Sequence, residues 1–250
     1  MRAQPRRTTT GQREVEVIGD LLVTGCPRSG TKYTARLLTE LGRRIGHEQL
    51  ERDGIASWCM AVAADKAPWG PARQEHQTFE VIFHQVRNPR FVIPSMSTME
   101  EVSWEFICAH TPCDPAEPRL LREAKLWYHW NLLADEIAHW RYRIEDLDSV
   151  FPEFCTRARV PCDSAVLERV GVNINSRAYR GLPALVRRAS ERIGRDPPAF
   201  IRKRFVDRRV YEAAQPFDWS VVRALDRNVF DQVISLATFY GYTPAEVGCP

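Results

Sequence analysis

The stretch Asp20-Leu-Leu-Val-Thr-Gly-Cys-Pro-Arg-Ser-Gly-Thr-Lys-Tyr33 decides how the rest of the chain is read. Its first half, Asp20 to Gly25, is a short apolar run ending in glycine, the pattern of a buried strand. Residues 30–42 follow with Tyr33, Leu37, Leu38 and Leu41 at helical spacing, and Gly42 stops them. A strand that feeds a helix through a glycine turn opens a βαβ unit. In that turn the first N–H groups of the helix and its dipole make an anion site. Gly25 and Gly30 admit backbone close to a ligand, Arg28 adds a fork of donors, and Ser29 and Thr31 add hydroxyls. A turn that only caps a helix has no use for an arginine beside a proline.

The kind of anion follows by subtraction. A Walker A loop needs lysine directly after its last glycine, then a hydroxyl for Mg²⁺. Here Thr31 follows Gly30, Lys32 comes one position late, and Tyr33 stands where the metal-binding hydroxyl belongs. A phosphatase loop of the Cys-x5-Arg kind would need arginine at 32, and the three-glycine dinucleotide fingerprint is absent. These departures weaken a nucleotide-kinase reading without excluding it, and the loop reads as a phosphate site.

Further along, Phe79-Glu-Val-Ile-Phe-His-Gln-Val86 reads as a second strand, ended by Arg87-Asn88-Pro89, with a helix from about Arg90 that carries Ser95. Residues 117–141 read as one long amphipathic helix with Leu120, Leu121, Leu126, Trp127, Trp130, Leu133 and Ile137 inward. Tyr142 to Ile144 reads as a third strand, and Val229 to Tyr240 as the last helix, ending at Gly241. These elements predict a three-layer, parallel-sheet α/β fold, P-loop-like, with a helical C-terminal region. Residues 1–14 read as a flexible tail and 15–250 as a single domain, in which 174–215 form an irregular substrate-side cap.

The Pro27-Arg-Ser-Gly-Thr31 loop resembles the donor loop of sulfotransferases that use 3′-phosphoadenosine 5′-phosphosulfate (PAPS), as in bacterial and protein-tyrosine members. That family holds the donor's 3′-phosphate with an arginine after a later strand and a serine eight residues on. Arg87 and Ser95 have this spacing. Tyr142-Arg-Ile-Glu-Asp-Leu147 is similar to another of its strand ends, where the resemblance implies a structural role for Glu145 and Asp146. The ending Ala237-Thr-Phe-Tyr-Gly-Tyr242 is similar to the family's last helix.

The resemblance implies sulfuryl transfer from PAPS to a hydroxyl of a small molecule or sugar. It also implies a glutamate base about twenty residues past the loop arginine, which is Glu48. Arg28 would stabilise charge on the transferred group, and Ser29, Gly30, Thr31, Lys32, Tyr33, Arg87 and Ser95 would bind the donor. His47 is the rival base, with an intrinsic pKa better placed for the task. On an extended chain neighbours face opposite ways, so only one of the two is expected to reach the acceptor. An ATP-dependent kinase with an unusual loop, and a nucleotide-binding module without turnover, are the alternatives.

Composition narrows the rest. Thirty-five basic against 32 acidic residues give a net charge of +3, too balanced for a nucleic-acid binder. All but four of the basic residues are arginine, so an anion meets planar forks rather than point charges. No run approaches the ~18 apolar residues of a membrane span, and residues 1–13 lack the apolar core of a leader. A bacterial cytoplasmic enzyme with no membrane partner is the expectation. The seven scattered cysteines form no CxxC pair and read as free thiols. The spacing also permits a Cys155–Cys162 bridge. Trp58, Trp69 and Trp104 are candidates to stack on a sugar or aromatic acceptor. His84 reads as a packed or hydrogen-bonded strand residue, and His76, His110, His129 and His139 have no motif context.

Overall fold

Leu21, Leu22 and Val23 are each no more than 2% exposed, so this strand is covered on both faces, as only a central strand is. The computed structural model describes residues 17–63, 66–68, 70–71, 78–170 and 217–249. In chain order its first elements are β1 (Val17–Thr24), α1 (Thr31–Glu40), β2 (Ile45–His47), β3 (Gly54–Ala56), β4 (Lys66–Ala67), β5 (Gly70–Pro71) and β6 (Thr78–Val86). Then come α2 (Pro89–Ser95), α3 (Glu101–His110), α4 (Arg119–Ile137), β7 (Trp140–Arg143), α5 (Leu147–Ala158) and α6 (Ala165–Val170). After the undescribed 171–216 the chain forms α7 (Trp219–Leu225), α8 (Arg227–Phe239) and α9 (Pro244–Val247). The flexible tail, most of the 174–215 cap, Trp69 and His76 fall outside the described residues.

The sheet runs β2-β3-β1-β6-β7, with every pairing parallel. Helices cover both faces, so the fold is the expected three-layer, P-loop-like α/β arrangement. On one side Leu21, Val23 and Phe83 pack with Leu37 and Leu38 of α1 and with Phe151 and Phe154 of α5. On the other, Val86 packs with α2, with Leu126, Trp127 and Trp130 of α4, and with Val229 and Val233 of α8. Because successive strand residues alternate, β6 sends Phe83 and Gln85 toward α1 and His84 and Val86 toward α4.

All parallel strands end at the same edge of the sheet, and in open α/β sheets ligands bind there. Two indoles of α4 fix the turns at that edge. Trp127 Nε1 donates to the Arg87 carbonyl at 3.1 Å, and Trp130 Nε1 donates to the Trp58 carbonyl at 2.9 Å. Glu145 ties the same region to the C-terminal segment. It accepts from the Asn88 N–H at 2.9 Å and from the Tyr242 hydroxyl at 2.8 Å. Asp146 accepts from Arg143 at 3.0 Å, so both acidic residues of this motif are structural.

Two expectations shift, and the free-thiol reading of the cysteines holds. The long helix spans 119–137 rather than 117–141, because Ala138 is extended and His139 N–H donates to the Ile82 carbonyl. That bond draws the chain into the ladder of β6 early, so β7 is 140–143. Trp58 and Trp104, at 8% and 6% exposure, belong to the core rather than to an acceptor pocket. Every described cysteine is a free thiol, Cys155 and Cys162 included.

Trp127→Phe removes a donor from a buried carbonyl and leaves a void in the α4 core. A loss of about 2–3 kcal/mol is expected, measured as a lower urea midpoint with an unchanged slope.

Candidate active site

The loop between β1 and α1 lies flat on β6. A side chain at Gly25 would overlap the Gln85 carbonyl, so the first loop glycine serves contact between loop and sheet rather than contact with a ligand. Arg28 has a left-handed φ of 73° and Gly30 one of 103°, so the chain reverses twice within the loop. Tyr33 and Thr34 N–H groups both donate to the Gly30 carbonyl, which closes the first turn of α1. The N–H groups of Gly30, Thr31 and Lys32 have no backbone partner among the described residues. These are the donors that a helix N-terminus offers to an anion.

The loop side chains divide by burial. Lys32 is exposed, and Thr31 is 6% exposed. Ser29 is wholly buried, and its hydroxyl has no partner among the described residues. Tyr33 is half-buried and packs against the α1–α5 cluster, where burial and the Asp148 carboxylate raise its pKa. Cys26 is buried and its thiol is pushed well above the ordinary range by burial, which removes it as a nucleophile.

Arg87, directly after β6, reaches the loop: its Nη1 donates to the Arg28 carbonyl at 3.2 Å. That spends one of the five N–H donors of the guanidinium. Ser95 lies at the far end of α2, and its hydroxyl donates to the Val92 carbonyl at 2.7 Å. His84 lies on the opposite face, its ring nitrogens 2.7 Å from Asp135 Oδ1 and 3.0 Å from Asn131 Oδ1, a hydrogen-bonded strand residue as expected.

His47 and Glu48 depart from the alternation assumed in the sequence. The chain leaves β2 at His47 and must return within residues 48–53 to start β3 parallel to it. Such a return is possible only because Gly46 lacks a side chain, which would overlap the Gln49 carbonyl, and because Glu48 adopts a left-handed φ of 59°. A left-handed residue breaks the up-down order of a strand. Both side chains therefore sit together: His47 Nε2 is 3.6 Å from Glu48 Oε1 and 3.4 Å from Thr31 Oγ1. Ser57 Oγ donates to Glu48 Oε2, and the Ser57 N–H anchors this turn to the Val23 carbonyl at 2.9 Å.

The electrostatics rank the two groups. Burial pushes the Glu48 carboxyl up to about 7, against bonds from Ser57 and the Trp58 backbone that favour its charge. Burial and the nearby Lys32 ammonium hold His47 down to about 4. At neutral pH His47 is uncharged, so the 3.6 Å approach is not an ion pair. Glu48 is the stronger base of the two by a wide margin. Among the described residues, no cluster of three or more His, Cys, Asp or Glu is placed to hold a metal ion. No described helix is long and apolar enough to cross a membrane.

No protein-family model matches the chain, and no curated protein matches it by sequence. Among solved structures, it is similar to mouse sulfotransferase SULT7A1 complexed with PAP, at 10% identity and a TM-score of 0.35. The match covers 62% of this chain and 63% of that one, and a likeness of this size carries no argument about activity.

The raised carboxyl has a stability consequence of definite sign. Below pH 4.5 Glu48 is protonated in folded and unfolded chains alike. Between that value and about 7 the unfolded chain has lost the proton while the folded chain keeps it, so folding is penalised increasingly as pH rises. The full penalty, at most about 3 kcal/mol, holds above the upper value. Glu48→Gln should therefore melt higher than the parent at pH 8, with the difference shrinking toward pH 5, in paired scanning calorimetry runs.

Proposed function

We propose that this chain is a PAPS-dependent sulfotransferase acting on a hydroxyl of a small molecule or sugar, with Glu48 as the general base. The observation that carries the reading is the placement of a buried, readily protonated carboxylate beside a Pro-Arg-Ser-Gly-Thr loop whose N–H groups open the central helix. PAPS supplies a sulfuryl group on a phosphosulfate anhydride, with adenosine 3′,5′-bisphosphate as the leaving product.

The residues fit that donor in three respects. Gly30, Thr31 and Lys32 N–H groups and the Arg28 fork supply positive potential where anionic oxygens would lie. Arg87, already tethered to the loop, stands at the end of the neighbouring strand, where the 3′-phosphate arginine is expected. Ser95 would join it by giving up its bond to the Val92 carbonyl. Lys32, exposed and close to His47, adds charge at the loop mouth. In sulfuryl transfer, as in phosphoryl transfer, such groups act through position and charge rather than covalent chemistry.

Glu48 takes the acceptor proton in this mechanism. A base with a pKa near the working pH combines ionisation with useful proton affinity. Glu48, at about 7, meets that condition, and His47, at about 4, does not. His47 instead lies between the base and Thr31, 3.6 Å from Glu48 Oε1 and 3.4 Å from Thr31 Oγ1.

Two measurements test the reading. Adenosine 3′,5′-bisphosphate at ~100 times its Kd should add about 2.7 kcal/mol of stability, a rise of roughly 5–10 °C at this length. Arg87→Ala should abolish that shift. A shift seen only with Mg²⁺-ATP would overturn the proposal and favour a kinase. With an acceptor in hand, kcat/KM should rise with pH through about 7. Glu48→Gln should lower kcat by about 10²–10⁴-fold while leaving bisphosphate affinity unchanged. A midpoint near 4 would hand the role to His47.

A further inference from the structure

Gln85 is wholly buried near the end of β6, and every polar atom of its side chain is engaged. Its Nε2 donates to the Ser29 carbonyl at 2.7 Å. Its Oε1 accepts from Tyr142 Oη at 2.7 Å and from Thr34 Oγ1. The orientation of the amide is fixed by chemistry, because the Ser29 carbonyl can only accept. Two residues on, just past the end of β6, Arg87 holds the preceding carbonyl, that of Arg28, at 3.2 Å. Consecutive loop carbonyls are thus drawn down onto one strand by two side-chain donors.

We propose that Gln85 is a positioning residue for the phosphate loop, turning the Gly30 N–H toward the bound anion by holding the Ser29 carbonyl on the opposite side. The link is the planarity of the peptide. The Ser29 carbonyl and the Gly30 N–H belong to one rigid trans unit and point in opposite directions. Gly30 has no side chain to restrain it, and its φ of 103° lies where the backbone is otherwise free to swing. A side chain there would also press on Gln85 Nε2, at 3.2 Å. The hydrogen bond from Gln85 is therefore what sets the direction of this peptide. Thr34 and Tyr142 hold Gln85 in turn, so that α1 and β7 share in fixing the loop.

The inference rests on the proposal that the loop is the donor's anion site, and it adds a residue that touches no ligand. Its test compares three variants by calorimetric titration with adenosine 3′,5′-bisphosphate and, separately, inorganic pyrophosphate. Gln85→Leu keeps volume and loses the pin, and should weaken binding of the anion by about 10-fold or more. Tyr142→Phe removes a bond from the same network but leaves the pin, and should bind as the parent does despite a comparable fall in melting temperature.

Gln85→Glu provides the conservative rescue and covers the case in which Gln85→Leu does not fold. A protonated carboxyl can donate to the Ser29 carbonyl and an ionised one cannot, so its affinity relative to the parent should recover as pH is lowered. If Gln85→Leu and Tyr142→Phe both bind as tightly as the parent, or if Gln85→Glu shows no pH-dependent recovery, the positioning role is overturned while the donor reading stands. If the parent binds pyrophosphate through the loop but not the bisphosphate, the donor reading fails and the Gln85 comparison is decided on pyrophosphate.

Discussion

The rest of the structure depends on one close contact, the seating of Gly25 against the backbone carbonyl of Gln85. With nothing between them, the loop leaving β1 lies across the end of β6 instead of arching above it. Loop carbonyls then come within reach of side chains on the α1 face of β6, and the opening N–H groups of α1 are left for a ligand. The contact also places the Arg28 carbonyl within reach of the Arg87 guanidinium, which ties the loop to the end of β6.

The second constraint is the short return from β2 to β3. Parallel neighbours ordinarily need a crossover of a dozen residues or more. Here residues 48–53 suffice, because the strands are three residues long and Gly46 lets the turn fold onto itself. The cost falls on Glu48, which is held left-handed and buried. Both features work against stability: the conformation costs of order 1 kcal/mol, and the carboxylate is penalised above neutral pH. The same two features bring the carboxylate to the loop mouth and raise its proton affinity. Strain, desolvation and basicity at Glu48 thus have a common origin in the length of one turn.

The sequence carried the large elements and little of the fine geometry. β1, α1, β6 and α4 were legible because apolar runs and glycine stops are local signals, and the parallel three-layer fold follows from their order. β2 and β3 were not, since three residues are too few to show a period. The alternation argument for His47 and Glu48 failed because it presumes extended backbone, and nothing in Gly-His-Glu announces a left-handed glutamate. The place of Ser29 in the motif gives no sign that the packing of the loop on β6 buries it wholly. Trp58 and Trp104 looked available and are core, as large indoles usually are. Gln85 belongs to no motif in the sequence. The available signal was the pair His84-Gln85 inside a strand that is otherwise apolar near its end, where two polar residues demand partners on both faces.

Those two neighbours explain why the polar residues are kept. Gln85 ties β6 to the loop, α1 and Tyr142 on one face. On the other, His84 bonds Asn131 and Asp135 of α4, and Asp135 also accepts from Arg141 at 2.9 Å and Tyr240 at 2.8 Å. Each set is satisfied only in one register. A slip of β6 by a single residue would exchange the faces, setting an imidazole under the loop and an amide among the indoles of α4. Both would then lie buried without partners, at about 1–3 kcal/mol for each lost group. An all-apolar β6 would pack as well in either register. The polar pair excludes the wrong one, and in doing so it fixes which carbonyls of the loop point down and which N–H groups point out.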